Sequence, residues 1–278
     1  MQIEKVFTTL LPGSELNTTV QSIWDCTSFT SNYTSELRLP SGCMEVVFNL
    51  TDQPMRYRAT AENSWHTARY GVISGPHSKP FILDTSQALA VLGMNLSVSK
   101  GRQLLPCSPS EFFNTHASVE EVWGSAACEQ WERLRELRSA ARRLQNACGW
   151  ARQLLTCAPE PHWAVVPALR MLAEEDATVS GVGRRIGLSD KRLREVLRVG
   201  TGWSPKPYAR LCRFRTALNL LSMSRIRAGV DEPVLSRLAL RCGYFDQAHL
   251  TREFRAFAGI TPGVYLRRCT FHPNHVGL

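Results

Sequence analysis

Apolar residues in the first hundred positions fall in short runs that alternate with polar residues and are separated by Gly, Pro and Asp. Five of these runs are typical of β-strands. They span residues 43–50, 55–60, 70–74, 81–83 and 89–96. The pattern therefore predicts a β-rich N-terminal domain.

From about Ser125 the apolar spacing changes to alternating steps of three and four residues, which is typical of an amphipathic helix. This helix is predicted over about 125–148, with Trp131, Leu144 and Cys148 on its apolar stripe. The stripe is narrow, so the helix could pair with the same helix of a second subunit in a homodimer, or it could pack on its own β-domain. Prolines at 159 and 161 then interrupt the pattern. We therefore assign residues 1–160 to the first domain.

Residues after 165 contain an internal repeat with an offset of 57 positions. The repeated pairs are Leu193 and Leu250, Leu197 and Phe254, Gly202 and Gly259, and Tyr208 and Tyr265. Each unit reads as a helix, a turn at a glycine and a capped second helix, which is the organisation of a helix-turn-helix. The two units are predicted at about 178–202 and 234–259, within a helical domain of residues 165–270. The fold class is therefore α+β, with an all-α C-terminal domain.

The charge of the chain is concentrated in its C-terminal part. Residues 165–278 hold 19 Lys and Arg against 9 Asp and Glu, a net charge of +10, whereas residues 1–164 have a net charge of −1. A basic segment of this kind attracts polyanions, of which nucleic acid is the commonest. Charge alone leaves open a merely soluble basic surface.

Residues 235–265, LSRLALRCGYFDQAHLTREFRAFAGITPGVY, closely resemble the second helix-turn-helix of the AraC/XylS family, and residues 186–218 resemble the first. The resemblance implies a sequence-specific regulator of transcription that binds double-stranded DNA, with a long helix near 205–223 joining the two units. RNA polymerase is a further partner that it suggests. Residues 40–49, PSGCMEVVFN, resemble the β-rich, cupin-like or similar sensor domain of one subset of these regulators. We therefore expect the first domain to sense an unknown small-molecule effector.

The second helix of each unit would lie in the major groove, where its outward side chains meet bases and phosphates. Helical periodicity, with the apolar residues inside, selects these outward positions. Base contacts are expected from Arg252, Gln247 and Arg194, phosphate contacts from Lys191, Arg198 and Arg255, and further DNA contacts from Thr251 and Glu195. Glu195 could accept from a cytosine amino group, or it could be a solvated residue paired with Arg192, Arg194 or Arg198.

Two other functions are compatible with parts of the pattern. A DNA-repair enzyme with a helix-turn-helix tail would need an activated thiolate, and neither Cys43 nor Cys107 has a visible histidine partner. A non-specific architectural DNA binder would not need a neutral β-domain or groove-reading helices. We therefore predict a regulator and not an enzyme.

The sequence indicates no cofactor, metal or membrane segment. Its nine cysteines are scattered and never form a Cys-x-x-Cys pair, and it contains neither a phosphate-binding Gly-rich loop nor metalloprotease spacing. No apolar run approaches the roughly 18 residues of a membrane span, and the N-terminus does not resemble a signal peptide. A cytoplasmic location is the expectation.

Overall fold

A computed structural model describes residues 6–10, 16–29, 32–87, 89–155, 160–174, 177–226, 235–270 and 272–278. Cys157 and Pro159, at the predicted end of the first domain, and residue 234, at the predicted start of the second unit, lie outside these ranges. No helix in the described part of the chain is both long and apolar enough to cross a bilayer.

The N-terminal domain is β-rich, as the sequence predicts, and its strands form two antiparallel sheets. One sheet has the order β1-β2-β9-β4-β7-β10 and the other β11-β3-β8-β5-β6. The strands are β1 (Val6–Leu10), β2 (Val20–Phe29), β3 (Ser35–Arg38), β4 (Met44–Asn49), β5 (Met55–Ala59), β6 (His66–Ala68), β7 (Gly71–Ser74), β8 (Phe81–Asp84), β9 (Leu89–Leu96), β10 (His116–Ser118) and β11 (His275–Gly277). All five strands predicted from the sequence are confirmed within two residues at each end.

The alternation of side chains along β4 explains how the sheets are covered. Met44, Val46 and Phe48 are fully buried on one face, where they join the core beneath the helices that follow the sheet. Val47 points the other way and packs with Met55 in a smaller cluster shared with the second sheet. Both faces of β4 therefore carry buried apolar residues, as expected for a strand between two layers, and the Val47 face also holds Glu45 and Asn49.

The segment predicted as one amphipathic helix over 125–148 is instead two helices. After a short α1 (Val119–Trp123), the chain forms α2 (Ser125–Glu136) and α3 (Ala140–Leu154). The break lies at Leu137, whose backbone is extended, and the hydroxyl of Ser139 caps α3 by accepting from the amide of Arg142. The periodicity missed this break because Leu137 continues the apolar spacing.

The apolar stripe of these two helices packs on the N-terminal domain itself. Trp131, Leu144 and Cys148 are buried in one core with the first sheet, and the Trp131 indole donates a hydrogen bond to the backbone carbonyl of Asn49. The sequence leaves open whether the stripe pairs with a second subunit or packs on its own β-domain, and in the structure it packs on its own β-domain.

The C-terminal domain is helical, so the α+β prediction is confirmed. Its helices are α4 (Val165–Leu172), α5 (Val179–Ile186), α6 (Asp190–Thr201), α7 (Pro205–Ile226), α8 (Leu235–Arg241), α9 (Gln247–Ala258) and α10 (Pro262–Arg268). The pairs α5–α6 and α8–α9 lie within the ranges predicted for the two units. The joining helix α7 begins at the expected Pro205 and ends at Ile226, three residues beyond the expected end.

Residues after α10 return to the N-terminal domain, which the sequence analysis did not foresee. Strand β11 pairs antiparallel with β3, so that His275 lies opposite Arg38. Two hydrogen bonds extend the pairing. The amide of Leu39 donates to the carbonyl of Asn274 (2.8 Å), and the amide of Leu278 donates to the carbonyl of Ser35 (3.0 Å). We call residues 272–278 the C-terminal tail.

Candidate nucleic-acid interface

In the first unit, α5 ends at Gly187, whose φ of +77° is the left-handed conformation that glycine adopts at low cost. Ser189 then caps α6, where its hydroxyl accepts from the amide of Arg192 (3.2 Å). Leu193 and Leu197 on α6 are fully buried. The opposite side of the helix is therefore exposed, and it carries the four predicted DNA contacts Lys191, Arg194, Glu195 and Arg198.

The second unit repeats this construction. Gly243 has a φ of +70°, and the carboxylate of Asp246 caps α9 by accepting from the amide of His249 (2.6 Å). Leu250 and Phe254 are fully buried. Of the four predicted contacts on α9, Gln247, Arg252 and Arg255 are exposed, and Thr251 is half-buried. The hydroxyl of Thr251 donates to the carbonyl of Gln247 (2.9 Å), one turn earlier in the helix.

Glu195 forms an ion pair with Arg192, three residues earlier on the same helix. Their closest oxygen and nitrogen are 2.8 Å apart, and both side chains are more than half exposed. This is the solvated arrangement that the sequence left as one alternative for Glu195. An exposed pair of this kind contributes about 0–1 kcal/mol, so it can open when a stronger partner approaches.

Two internal contacts position α9 against the long helix α7. The guanidinium of Arg210 donates to both carboxylate oxygens of Glu253, at 2.7 and 2.8 Å. The ring of Phe214 on α7 lies 5.1 Å from the ring of Phe254 and 5.1 Å from the ring of Phe257. Sequence reasoning missed the role of Arg210 and Glu253, since the two are 43 residues apart and nothing local pairs them.

The N-terminal domain contacts the C-terminal end of α6. The hydroxyl of Ser108 donates to the carbonyl of Val199 (2.6 Å), and the ring of Phe113 packs edge-on against Trp203 at 5.0 Å. Gly202, directly before Trp203, has a φ of +78°, and a Cβ on this residue would lie 2.7 Å from the Phe113 ring. The contact thus requires glycine, and it joins the first unit to the β-domain without covering the predicted DNA contacts.

A cavity of about 410 Å³ lies where the two sheets, α7 and the C-terminal tail meet. Its inner wall is apolar, and its members include Trp24, Val47, Met55, Val72, Leu83 and Val91. Its other wall is formed by Arg215, Leu218 and Asn219 of α7 and by residues 272–275 of the tail. Any molecule that fills the cavity would therefore contact both domains.

The polar groups of the cavity are largely paired with one another. Arg38 donates to the carboxylate of Glu45 at 2.8 Å, and Nδ1 of His275 lies 3.0 Å from the carboxylate of Glu36. Burial and the nearby Arg38 lower the pKa of His275 to about 3, so the ring is neutral and donates to Glu36. The structure gives Arg215 no carboxylate partner among the described residues.

The cavity residues were not among the predicted functional residues. Glu36 and Arg38 alternate with Leu37 and Leu39, a pattern that ordinarily indicates a solvent-exposed polar face. Both charged residues are nevertheless buried, because their face of β3 points into the cavity between the two sheets, where Arg38 pairs with Glu45 of β4 and Glu36 pairs with His275 of the tail. Neither the packing of the opposite sheet nor the return of the tail can be read from the local pattern of these residues.

The cysteines considered for a repair enzyme are not activated thiolates. Burial raises the pKa of the Cys43 thiol, which opposes the activation that nucleophilic chemistry needs. Burial, aided by Glu111, also raises the pKa of Cys107. Among the described residues, no group of three or more His, Cys, Asp or Glu side chains is placed to hold a metal ion.

Two family models match the chain. A helix-turn-helix domain matches residues 182–268, and a domain of unknown function, DUF6597, matches residues 8–118. No curated protein matches the chain in sequence.

Solved structures share the fold over nearly the whole chain. ToxT from Vibrio cholerae, in a P21 crystal form, is 9% identical with a TM-score of 0.50, covering 95% of this chain and 98% of its own. An apo variant of ToxT from Vibrio cholerae strain SCE256 is 10% identical with a TM-score of 0.50, covering 96% and 99%. A probable AraC family transcriptional regulator from Rhodopseudomonas palustris CGA009 is 25% identical with a TM-score of 0.32, covering 37% of this chain and 94% of its own.

The matched helix-turn-helix domain contains the repeated units whose geometry is described above, and the resemblance of their residues to one family is confirmed. The ToxT structures share the arrangement of a β-rich domain followed by two such units. The C-terminal domain of the chain is a helix-turn-helix domain of the AraC/XylS type, and the chain is a DNA-binding transcription regulator.

Proposed function

We propose that the chain recognises a specific DNA sequence by placing α6 and α9 in the major groove. Arg252, Gln247 and Arg194 contact bases in this proposal, whereas Lys191, Arg198 and Arg255 contact phosphates. Thr251 and Glu195 lie among them and are included in the contact surface. The proposal is supported by one observation above all: the buried apolar side of each helix leaves the basic side exposed in the full chain.

The test is selection of binding sites from random DNA by the purified chain, followed by affinity measurements on the selected duplex. A site with two half-elements about one helical turn apart is expected. Arg252→Ala should cost about 1–3 kcal/mol and relax the preference at one base position. Arg255→Ala should instead weaken binding to all sequences evenly. It should also reduce the slope of log affinity against log salt concentration by about one. Binding without sequence preference, equal for Arg252→Ala, would favour a non-specific architectural binder.

We further propose that the interdomain cavity binds a small-molecule effector that alters DNA binding. The cavity has an apolar inner wall, and Arg215 at its α7 side is a cation without a carboxylate partner among the described residues. These features suit a ligand with an apolar body and an anionic group. Such a ligand would touch α7, which carries the contact between Arg210 and Glu253 that positions α9.

A panel of aliphatic and aromatic carboxylates, measured for thermal stabilisation and for its effect on DNA affinity, tests this proposal. A carboxylate that binds should change DNA affinity, and DNA should change the affinity for that carboxylate by the same factor. Arg215→Ala should reduce both effects, whereas Arg184→Ala, at an exposed site on α5, should not. Unchanged DNA affinity with every stabilising carboxylate would contradict regulation through the cavity.

A further inference from the structure

Phe245 lies in the turn between α8 and α9, directly before the residue that caps α9. Its side chain is 86% exposed, the largest exposure among the large apolar side chains in the described part of the chain. Gln247 and Arg252, the two residues proposed to contact bases from α9, are exposed in the same unit. A large aromatic side chain in water exposes apolar area whose burial would be favourable.

The turn holds Phe245 in this position. The neighbouring Tyr244 is buried, and its amide donates to the carbonyl of Ala239 (2.9 Å). The amide of Phe245 donates to Nδ1 of His249 at 3.4 Å. The ring of His249 packs edge-on against Tyr244, with ring centroids 5.3 Å apart. The exposure of Phe245 thus belongs to an ordered turn whose backbone is anchored on both sides.

An apolar residue before a helix cap usually packs against the fourth residue of the helix, as a hydrophobic staple that fixes the entry of the chain. In the first unit this position is Leu188, which is half-buried and packs against the core of the domain. In the second unit the staple partner would be Leu250, which is fully buried, while Phe245 remains in solvent. The turn of the second unit is one residue longer: the buried Tyr244 follows its glycine as Leu188 follows Gly187, and Phe245 is the additional residue before the cap.

We propose that Phe245 packs against the C5 methyl group of a thymine in the major groove and helps to determine sequence preference. The residues at the start of a recognition helix are the ones that reach base edges. The thymine methyl is the apolar group that the major-groove edges of the bases present. The proposal rests on the proposed function, since it requires α9 to enter the groove.

The test uses the duplex selected by the wild-type chain, in which each thymine is replaced in turn by deoxyuridine. This replacement removes only the methyl group. At one position of the half-site that α9 contacts, deoxyuridine should weaken wild-type binding about fourfold. This is the factor expected for burial of one methyl-sized group. Phe245→Ala should bind the unmodified duplex about tenfold more weakly and should be insensitive to deoxyuridine at that position.

Two variants separate this contact from general effects. Phe245→Leu keeps an apolar side chain and should restore sensitivity to the methyl group. Leu188→Ala, at the residue before the cap of α6, should lower stability but leave the response to that deoxyuridine unchanged.

If Phe245→Ala kept the full loss at every deoxyuridine, the methyl contact would be refuted, whatever its overall affinity. If Phe245→Ala changed neither the affinity for DNA nor the site preference, any role of Phe245 in DNA binding would be refuted. A protein partner would then be the candidate to cover this side chain. If the wild-type chain selected no site at all, the proposed function itself would fail, so the two failures are distinguishable.

Discussion

The ion pair between Asp25 on β2 and Arg143 on α3 joins the first sheet to the helix that covers it. The Nε and Nη2 atoms of Arg143 donate to the two carboxylate oxygens at 2.6 and 2.9 Å, and the Asp25 side chain is 1% exposed. Removing one partner leaves a buried charge without compensation. Asp25→Asn should therefore lower the free energy of unfolding by about 3–5 kcal/mol in urea titrations.

The matched control is Asp52→Asn, which removes a pair with Arg135. Asp52 is 84% exposed, so this change should cost less than about 1 kcal/mol. Similar losses for the two variants would mean that the buried pair contributes no more than a surface pair.

A buried histidine, His77, and a half-buried one, His116, predict how stability depends on pH. The rings of His77 and His116 lie 4.6 Å apart. Burial lowers the pKa of His77 to about 4, and burial together with the neighbouring histidines lowers that of His116 to about 2. In the unfolded chain both take up a proton near pH 6.5, so the unfolded state binds more protons below that pH.

The free energy of unfolding should therefore be highest above about pH 6.5. It should fall as the pH drops towards 4, by up to about 1.4 kcal/mol per pH unit for each histidine. Urea unfolding of the wild-type chain and of His116→Phe at pH 7.5, 6 and 5 measures this slope. The variant should show the shallower slope, because Phe keeps the ring contacts and does not titrate. Equal slopes would exclude His116 as a source of acid sensitivity.

At the scale of elements, the half-buried ion pair between Arg210 and Glu253 is one of the two contacts that orient α9 on α7. Glu253 is 15% exposed and accepts both hydrogen bonds of the Arg210 guanidinium. Glu253→Gln keeps the shape of the side chain but removes its charge. We expect a loss of about 1.5–3 kcal/mol in the free energy of unfolding and weaker binding to the selected DNA, with the far-UV circular dichroism unchanged.

Glu195→Gln on α6 serves as the matched control for stability, because the Glu195 pair with Arg192 is exposed. Its unfolding free energy should stay within about 1 kcal/mol of the wild-type value. If Glu253→Gln were as stable as Glu195→Gln, the contact would not be what positions α9.

The elements that the sequence predicts are those determined by local chemistry. Gly187, Gly243 and the capping residues Ser189 and Asp246 fix both helix-turn-helix units within a few residues of chain. The exposed side of α9 follows from burial of its apolar residues. Strands β1, β2, β3, β6 and β10 were not predicted; β6 and β10 are only three residues long, and polar residues interrupt the apolar spacing of β2.

Non-local contacts explain what could not be predicted. The cavity wall is formed partly by His275 against Arg38 and Glu36, across 237 and 239 positions of sequence. Neither Glu36 nor Arg38 has a sequence neighbour that indicates burial. The single helix expected over 125–148 divides for a similar reason, since the sharp turn lets both halves lie on the same sheet.

At the scale of the whole molecule, the C-terminal tail is one of the elements that tie the second unit to the N-terminal domain, beside Leu37, Leu39 and Ile82, which share a core with its helices. Val276 is fully buried in the core of the C-terminal domain, and the hydroxyl of Tyr265 on α10 donates to the carbonyl of Pro273 (2.7 Å). The tail thus makes one β-ladder with β3 and one set of contacts with α10. Heating should disrupt both domains together as long as these contacts hold.

Deletion of residues 272–278 should therefore lower the melting temperature by about 5–10 °C, from the lost burial of Val276 and the lost β-ladder. Differential scanning calorimetry should show one transition for the full chain and two for the shortened chain, with the N-terminal domain melting first because β3 becomes an exposed edge. The full chain with Val276→Asp, which keeps the length of the tail, should behave like the deletion, since a carboxylate cannot be buried there without a partner. A single transition at the wild-type temperature in both variants would mean that contacts other than those of the tail hold the domains together, and that the tail does not transmit changes in the cavity to the second DNA-reading unit.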